Sequence, residues 1–273
     1  MSRDPHRYVN ELDEAAIERL ISRLEARAKD RVFTTLFDNY MTKIISHAPK
    51  SILEIGSGTG SMMRSLARRR DYSGRILGIE QSPVFVDAAR RLASEEGLAD
   101  RVDFHVGDAH KLDVPDRSFD AVILNTVLSH VSDTMTVLGE ATRVVKPGGV
   151  VAIFDGDYGS MTYAHPDVDL AQRMNAALVQ ATFNNVYIMR ELPRILPQLG
   201  LEIAEAWGDA VTEIGDASFF KSFAATYVPY VKDAGLAPAH EVDEWYAYQE
   251  SAMSNRTFFG SCIYYTFLAR RRS

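Results

Sequence analysis

Residues 51–60, SILEIGSGTG, constrain this chain more than any other stretch. Residues 51–55 are a short apolar run with one acid, Glu54, the pattern of a strand buried in a parallel sheet. Gly56, Gly58 and Gly60 follow at every second position, and residues 61–70 then carry Met62, Met63, Leu66 and Ala67 at helical spacing. A strand passing through a glycine turn into a helix brings a ligand against bare backbone at the carboxyl end of a sheet. The helix start adds free N–H groups and partial positive charge, which suit a carboxylate or phosphate. The spacing alone leaves the ligand open. Ser61 stands where the dinucleotide fingerprint has its third small residue, and the Lys-Ser/Thr pair of a phosphate loop is missing.

The rest of the chain repeats the strand–turn–helix rhythm. Before the glycine turn, apolar residues from Leu12 to Ala28 recur at helical spacing behind a potential cap, Asp13, and a second helix is expected over 32–47. After it, 75–79 reads as a second strand closing on Glu80-Gln81-Ser82-Pro83. Glu80 lies 20 residues past Gly60 (80 − 60), placed to accept from both hydroxyls of a ribose. Pro83 suits the first turn of the next helix. Residues 102–106 alternate as a third strand and lead into Gly107-Asp108-Ala109. A fourth strand ends at Asn125 with His130 just beyond it, and 150–154 forms a fifth after the break at Lys146-Pro147-Gly148-Gly149. Helices are expected over 167–182, 186–199, 217–232 and 242–253, with late strands at 201–207 and 257–269.

Taken together, these pieces resemble a known family. Glu54-x-Gly56-x-Gly58-x-Gly60 resembles motif I of the class I S-adenosylmethionine (SAM)-dependent methyltransferases, and Gly107-Asp108-Ala109 resembles their acidic motif. Residues 115–120 (PDRSFD) and 143–149 (RVVKPGG) are similar to the family's approaches to its fourth and fifth strands. The resemblance covers 51–154, under half the chain, and is closest to the ubiquinone/menaquinone C-methyltransferase-like branch of small-molecule enzymes.

The resemblance implies an α/β fold: a doubly wound, mostly parallel seven-stranded sheet, Rossmann-like, with helical N-terminal and lid insertions. Its two late strands are expected to form an antiparallel edge. The implied layout is an N-terminal helical cap (1–50), a SAM-binding core (51–155) and the rest of the sheet with helical substrate-binding insertions (156–273). SAM is the implied cofactor, and Glu54, Gly56, Gly58, Gly60, Glu80, Gln81 and Asn125 are its implied contacts. Asp108 would accept from the adenine amino group, with Ala109 offering its backbone N–H to the ring. Arg23 or Arg27, with Tyr8 as another candidate, would meet the SAM carboxylate from the N-terminal segment. The plainer reading pairs those arginines with Glu18 or Asp30, or leaves them in water.

A sulfonium methyl group is already activated, so the protein mainly supplies orientation and exclusion of water. An oxygen or carbon acceptor often needs a base. His130 is the first candidate and Asp157 and Tyr158 the next, although a histidine after the fourth strand is as readily a packing residue. The expected substrate is a small, partly apolar molecule whose acceptor atom (O, N or C) stays open. Tyr158, Phe183, Tyr187, Phe223 and Tyr227 are expected to line its pocket, with Asn184, Asn185 and His130 as polar groups. Two alternatives remain: a SAM-binding module without turnover and a nucleotide-dependent dehydrogenase, the latter weakened by Ser61 and the Gly-Asp-Ala motif.

Composition narrows the partners. A net charge of −7 argues against a general nucleic-acid surface. One cysteine, Cys262, excludes an intrachain disulfide and a cysteine metal cluster. No set of His, Asp and Glu has metal-ligand spacing, so no metal is expected. No signal-peptide pattern or membrane span stands out, and the expectation is a cytoplasmic protein, with homo-oligomerisation left open.

Overall fold

The computed structural model describes residues 4–272. Strand β1 (Ser51–Ile55) is buried at every residue. It has parallel neighbours on both sides, β2 (Arg75–Glu80) and β4 (Phe119–Asn125). Strand β3 (Asp103–Val106) continues the parallel set beyond β2, and β5 (Val145–Tyr163) continues it beyond β4. The sheet is completed by β7 (Phe258–Arg271) and β6 (Leu201–Gly215), in the order β3-β2-β1-β4-β5-β7-β6. This is the expected seven-stranded, mostly parallel α/β sheet. Strand order reverses between β1 and β4, the place where ligands bind beyond the carboxyl ends.

The two late strands form the expected antiparallel edge. Only β7 runs against the sheet; it pairs antiparallel with both β5 and β6. A strand antiparallel to both neighbours makes those neighbours parallel, so β6 points the same way as the core. Two strands are longer than the sequence suggests. β5 was expected to end at residue 154 but continues to Tyr163, because the long β7 offers partners as far as Gly260. β6 likewise extends to Gly215, opposite Phe258. The polar residues in the β5 extension find partners: Asp155 accepts from Ser129 N and Oγ, both at 3.1 Å, and Asp157 from Arg190 Nε at 3.0 Å.

Side chains alternate between the faces of the sheet and build two cores. Leu53 and Ile55 face a core shared with α5 (Thr134–Val144) and α7 (Ile188–Gln198). Ile52 faces the larger core, filled from α2 (Arg31–Ser46), α3 (Ser61–Arg68), α4 (Pro83–Glu95), α6 (Val168–Thr182), α8 (Phe219–Asp233) and α9 (Ala239–Ser254). Caps set several starts. Asp13 accepts from Ala16 N at 2.7 Å and opens α1 (Glu14–Lys29); Ser82, followed by Pro83, opens α4. Among the described residues no helix is long and apolar enough to cross a membrane.

Candidate active site

The carboxyl ends of β1, β2 and β4 open into a cleft of about 570 Å³. Residues 6–8, α1 and the aromatic face of α8 close its other side. Of the expected site residues, Glu54, Gly56, Gly58, Glu80, Gln81, Asp108, Ala109, Asn125, Arg23, Arg27, His130 and Tyr158 line it; Gly60 and Asp157 do not. Tyr8 lines it as well.

The glycine turn does two different things. Gly56, at φ +69°, lines the cleft over Val127, and a Cβ there would meet the valine at 2.6 Å. Gly60 instead caps α3 from below at φ +73°, and a Cβ would meet the Phe104 ring at 2.3 Å. Gly60 is required by packing rather than by contact with a ligand.

Backbone fixes the acid at the end of β2. Glu80 accepts from Gly58 N through Oε2 and from Ser82 N through Oε1, both at 3.0 Å. Burial raises the pKa of this carboxyl, and the backbone N–H groups pull the other way. Further along, Asp108 accepts from the backbone N and the Nδ1 of His110, at 2.9 and 2.8 Å. Burial opposes ionisation of Asp108, but the His110 bonds prevail and bring its pKa down. Gln81 uses its amide to hold the N-terminal strap, donating to His6 O at 2.9 Å.

At the centre of the cleft lie polar groups that the protein leaves unmatched. Arg27 donates through Nη1 to Thr126 Oγ1 at 3.1 Å, while its Nε and Nη2 are buried without a partner among the described residues. Its guanidinium lies 4.7 Å from the Phe33 ring centroid. Glu54 Oε2 and Asn125 Oδ1 are buried and unpaired too. Burial first, and then the charge of Glu80, push Glu54 well above the usual carboxylate range, against the pull of Asn125 and Arg27. Buried polar groups are normally paired, so donors and acceptors left open together call for a polar ligand.

The two arginines of α1 do not share a task, and neither pairs with Glu18 or Asp30. Arg23 turns to α8, donating to Ser222 Oγ at 3.2 Å and lying over Phe219, Phe223 and Tyr227. Nearby, His130 Nδ1 meets Asp4 Oδ2 at 2.7 Å. Burial alone would lower the pKa of His130, but Asp4 and Asp155 raise it overall. His6 is the opposite case. Its Nε2 lies 2.7 Å from Tyr227 Oη, and burial, then the charges of His130, Arg23 and Arg27, push its pKa well down. Tyr158 stacks on Phe183 at 3.4 Å, and burial raises its phenol well above the usual range.

Several expectations fail at the acceptor end. Asp157 is bound to Arg190 away from the cleft. Tyr187 is 53% exposed and lies under the Arg190 guanidinium on the surface. Asn184 and Asn185 tie down the loop after β4, both donating to Val131 O, at 3.0 and 2.7 Å. Sequence reasoning missed Asp4 and His6, and no spacing pattern marks them. Among the described residues no group of His, Cys, Asp and Glu could hold a metal ion.

Comparison with known proteins accords with this geometry. Residues 53–153 match the family described as Methyltransferase domain. The probable tocopherol O-methyltransferase, chloroplastic, of Oryza sativa subsp. japonica is 38% identical over 105 residues, 38% of this chain and 28% of that protein. This chain spans about half or less of the length of the curated relatives it matches. Among solved structures, a putative methyltransferase from Bacillus halodurans has a TM-score of 0.58 at 17% identity, over 82% of this chain and 93% of that one. The cyclase SpnF has a TM-score of 0.51 at 24% identity, over 81% of this chain and 75% of that one. At these identities the two structures speak to the fold alone. The seven-stranded sheet has the fold of these structures, and residues 53–153 carry the match to the methyltransferase-domain family.

Proposed function

We propose that this chain is a SAM-dependent methyltransferase acting on a small, partly apolar molecule. The observation that carries the reading is the set of unmatched groups beside the glycine turn. Arg27 offers two free donors, and Glu54 and Asn125 offer free acceptors, a complement to the carboxylate and ammonium of an amino acid. Glu80 and Asp108 stand at successive strand ends, placed for ribose and adenine, and Gly56 and Gly58 let the ligand approach the backbone.

When bound, SAM supplies an activated methyl group. The chain's own part is to hold the cofactor through Arg27, Glu54, Glu80 and Asp108 and to keep water out with α1, α8 and the strap at residues 6–8. It also presents the acceptor against Tyr158, Phe183 and Phe223. A base, where the acceptor requires one, is better sought in the ring of His6, whose pKa burial and nearby charges push down, than in that of His130, whose pKa Asp4 raises. This replaces the sequence-based choice of His130.

One fold hosts many chemistries, so binding and transfer are tested separately. Calorimetry with S-adenosylhomocysteine should show one site per chain, weakened by roughly 1–3 kcal/mol in Glu80→Ala, the scale of lost charged hydrogen bonds. Transfer of label from SAM to a panel of small apolar acceptors then tests turnover. Binding without transfer to any acceptor would favour a module that uses SAM without moving its methyl group; no binding would overturn both readings.

A further inference from the structure

We propose that the Arg23 end of the cleft is a subsite for a carboxylate carried by an otherwise apolar acceptor. The inference deepens the methyltransferase reading and rests on it. Arg23 lines the cleft at 8% exposure and makes no ion pair among the described residues. Its guanidinium carbon lies 5.4, 4.9 and 5.1 Å from the centroids of Phe219, Phe223 and Tyr227, and Nη1 donates to Ser222. Aromatic faces offset only part of what it costs to bury a charge.

A second arginine shows what this fold does when a buried guanidinium is purely structural. Arg64, 2% exposed, has two acids, Glu25 and Glu96. Arg23 has none. Asp4 is committed to His130, and Glu54 and Glu80 belong to the cofactor end of the cleft.

The cofactor does not make up the difference. It has one carboxylate, which the free donors of Arg27 match, and its sulfonium adds positive charge to the site. A second anion is therefore called for, and it must come with the acceptor. The surroundings specify that acceptor further. Tyr227 Oη and the His6 ring, 2.7 Å apart, are neutral hydrogen-bonding groups that line the cleft with Arg23. They suit a singly charged carboxylate better than a phosphate dianion. Tyr158, Phe183 and Phe223 continue from this point as an apolar wall for the rest of the molecule.

The test is calorimetry on the full chain saturated with S-adenosylhomocysteine, using phenylpropionate, phenylpropionamide and phenethyl phosphate as probes. Phenylpropionate should bind at least about tenfold more tightly than its amide, the effect of one charged hydrogen-bonded pair. Arg23→Gln should abolish that preference and leave S-adenosylhomocysteine affinity within about twofold. Equal binding of acid and amide, binding of neither, or a preference that survives Arg23→Gln would overturn the subsite. The acid–amide comparison needs no variant, so it stands even if Arg23→Gln fails to fold. Tighter binding of phenethyl phosphate than of phenylpropionate would overturn the assignment to a carboxylate. Failure of S-adenosylhomocysteine to bind the native chain would overturn the cofactor reading and this premise with it. A bound cofactor without acid preference would overturn the subsite alone.

Discussion

Arg27, Glu54 and Asn125 share one property: each carries a buried polar atom that the folded chain leaves unpaired. Such atoms cost stability in the empty protein, and a ligand that pairs them recovers it. Arg27→Leu should therefore weaken S-adenosylhomocysteine binding by roughly 1.5–3 kcal/mol, the scale of a charged hydrogen bond, as read by calorimetry. Glu54 adds a pH dependence. Its folded pKa is raised, chiefly by burial, above that of the unfolded chain. The stability this group contributes is thus fully present below the unfolded value and is lost as pH rises through the folded one. Glu54→Gln, which cannot ionise, should flatten that part of the profile and raise the melting temperature of the cofactor-free protein at mildly alkaline pH. A steeper loss in the variant would contradict the assignment. For the histidines, burial disfavours charge on both, and Asp4 decides between them. Asp4→Asn should lower the pKa of His130, which proton NMR of the ring would follow.

At the scale of elements, helix α1 closes the cleft and is fastened to the glycine turn by one side chain. Glu25 accepts from Thr59 Oγ1 and from Arg64 Nη2, both at 2.6 Å. Thr59 lies inside the turn and Arg64 on α3, so a single acid ties the lid to the loop that is proposed to hold the cofactor. Glu25→Ala should cost roughly 1–3 kcal/mol by denaturant unfolding, because it leaves Arg64 with Glu96 alone. Hydrogen exchange over residues 14–29 should quicken more in this variant than exchange in β1. Uniform change across both segments would mean that α1 is not a separately movable element. The β5 extension has a related cause. Its acids, Asp155 and Asp157, would end a strand on their own; they are tolerated because Ser129 and Arg190 from neighbouring segments pair them.

For the molecule as a whole, a ligand that binds only the folded state stabilises it by mass action. S-adenosylhomocysteine at about a hundred times its Kd should add roughly 2.7 kcal/mol and raise the melting temperature accordingly. An unchanged melting temperature would remove the cofactor reading at its base. How much of this could be read without coordinates follows from the range of the forces involved. The parallel strands, the helices between them and the glycine turn are written in local patterns: apolar runs, helical spacing, and glycines where φ is positive or Cβ has no room, as at Gly56 and Gly60. Glu54, Glu80 and Asp108 could be placed in the cleft because each lies at or just past the carboxyl end of its strand, and the strand carries the residue to that edge. The acceptor end had no such local signal. His6, Asp4 and Arg23 meet Tyr227, His130 and Ser222 across separations of 221, 126 and 199 residues. Only the closure of the strap, α1 and α8 over the sheet brings those groups together. It also decides which histidine has an acid beside it, which arginine is left without one, and that Asp157 and Tyr187 fall outside the cleft. The sequence alone determined the sheet and the proposed cofactor edge, where chemistry follows from position along a strand. The acceptor side was decided by tertiary structure, because charge, burial and pairing there are properties of neighbours distant in the chain.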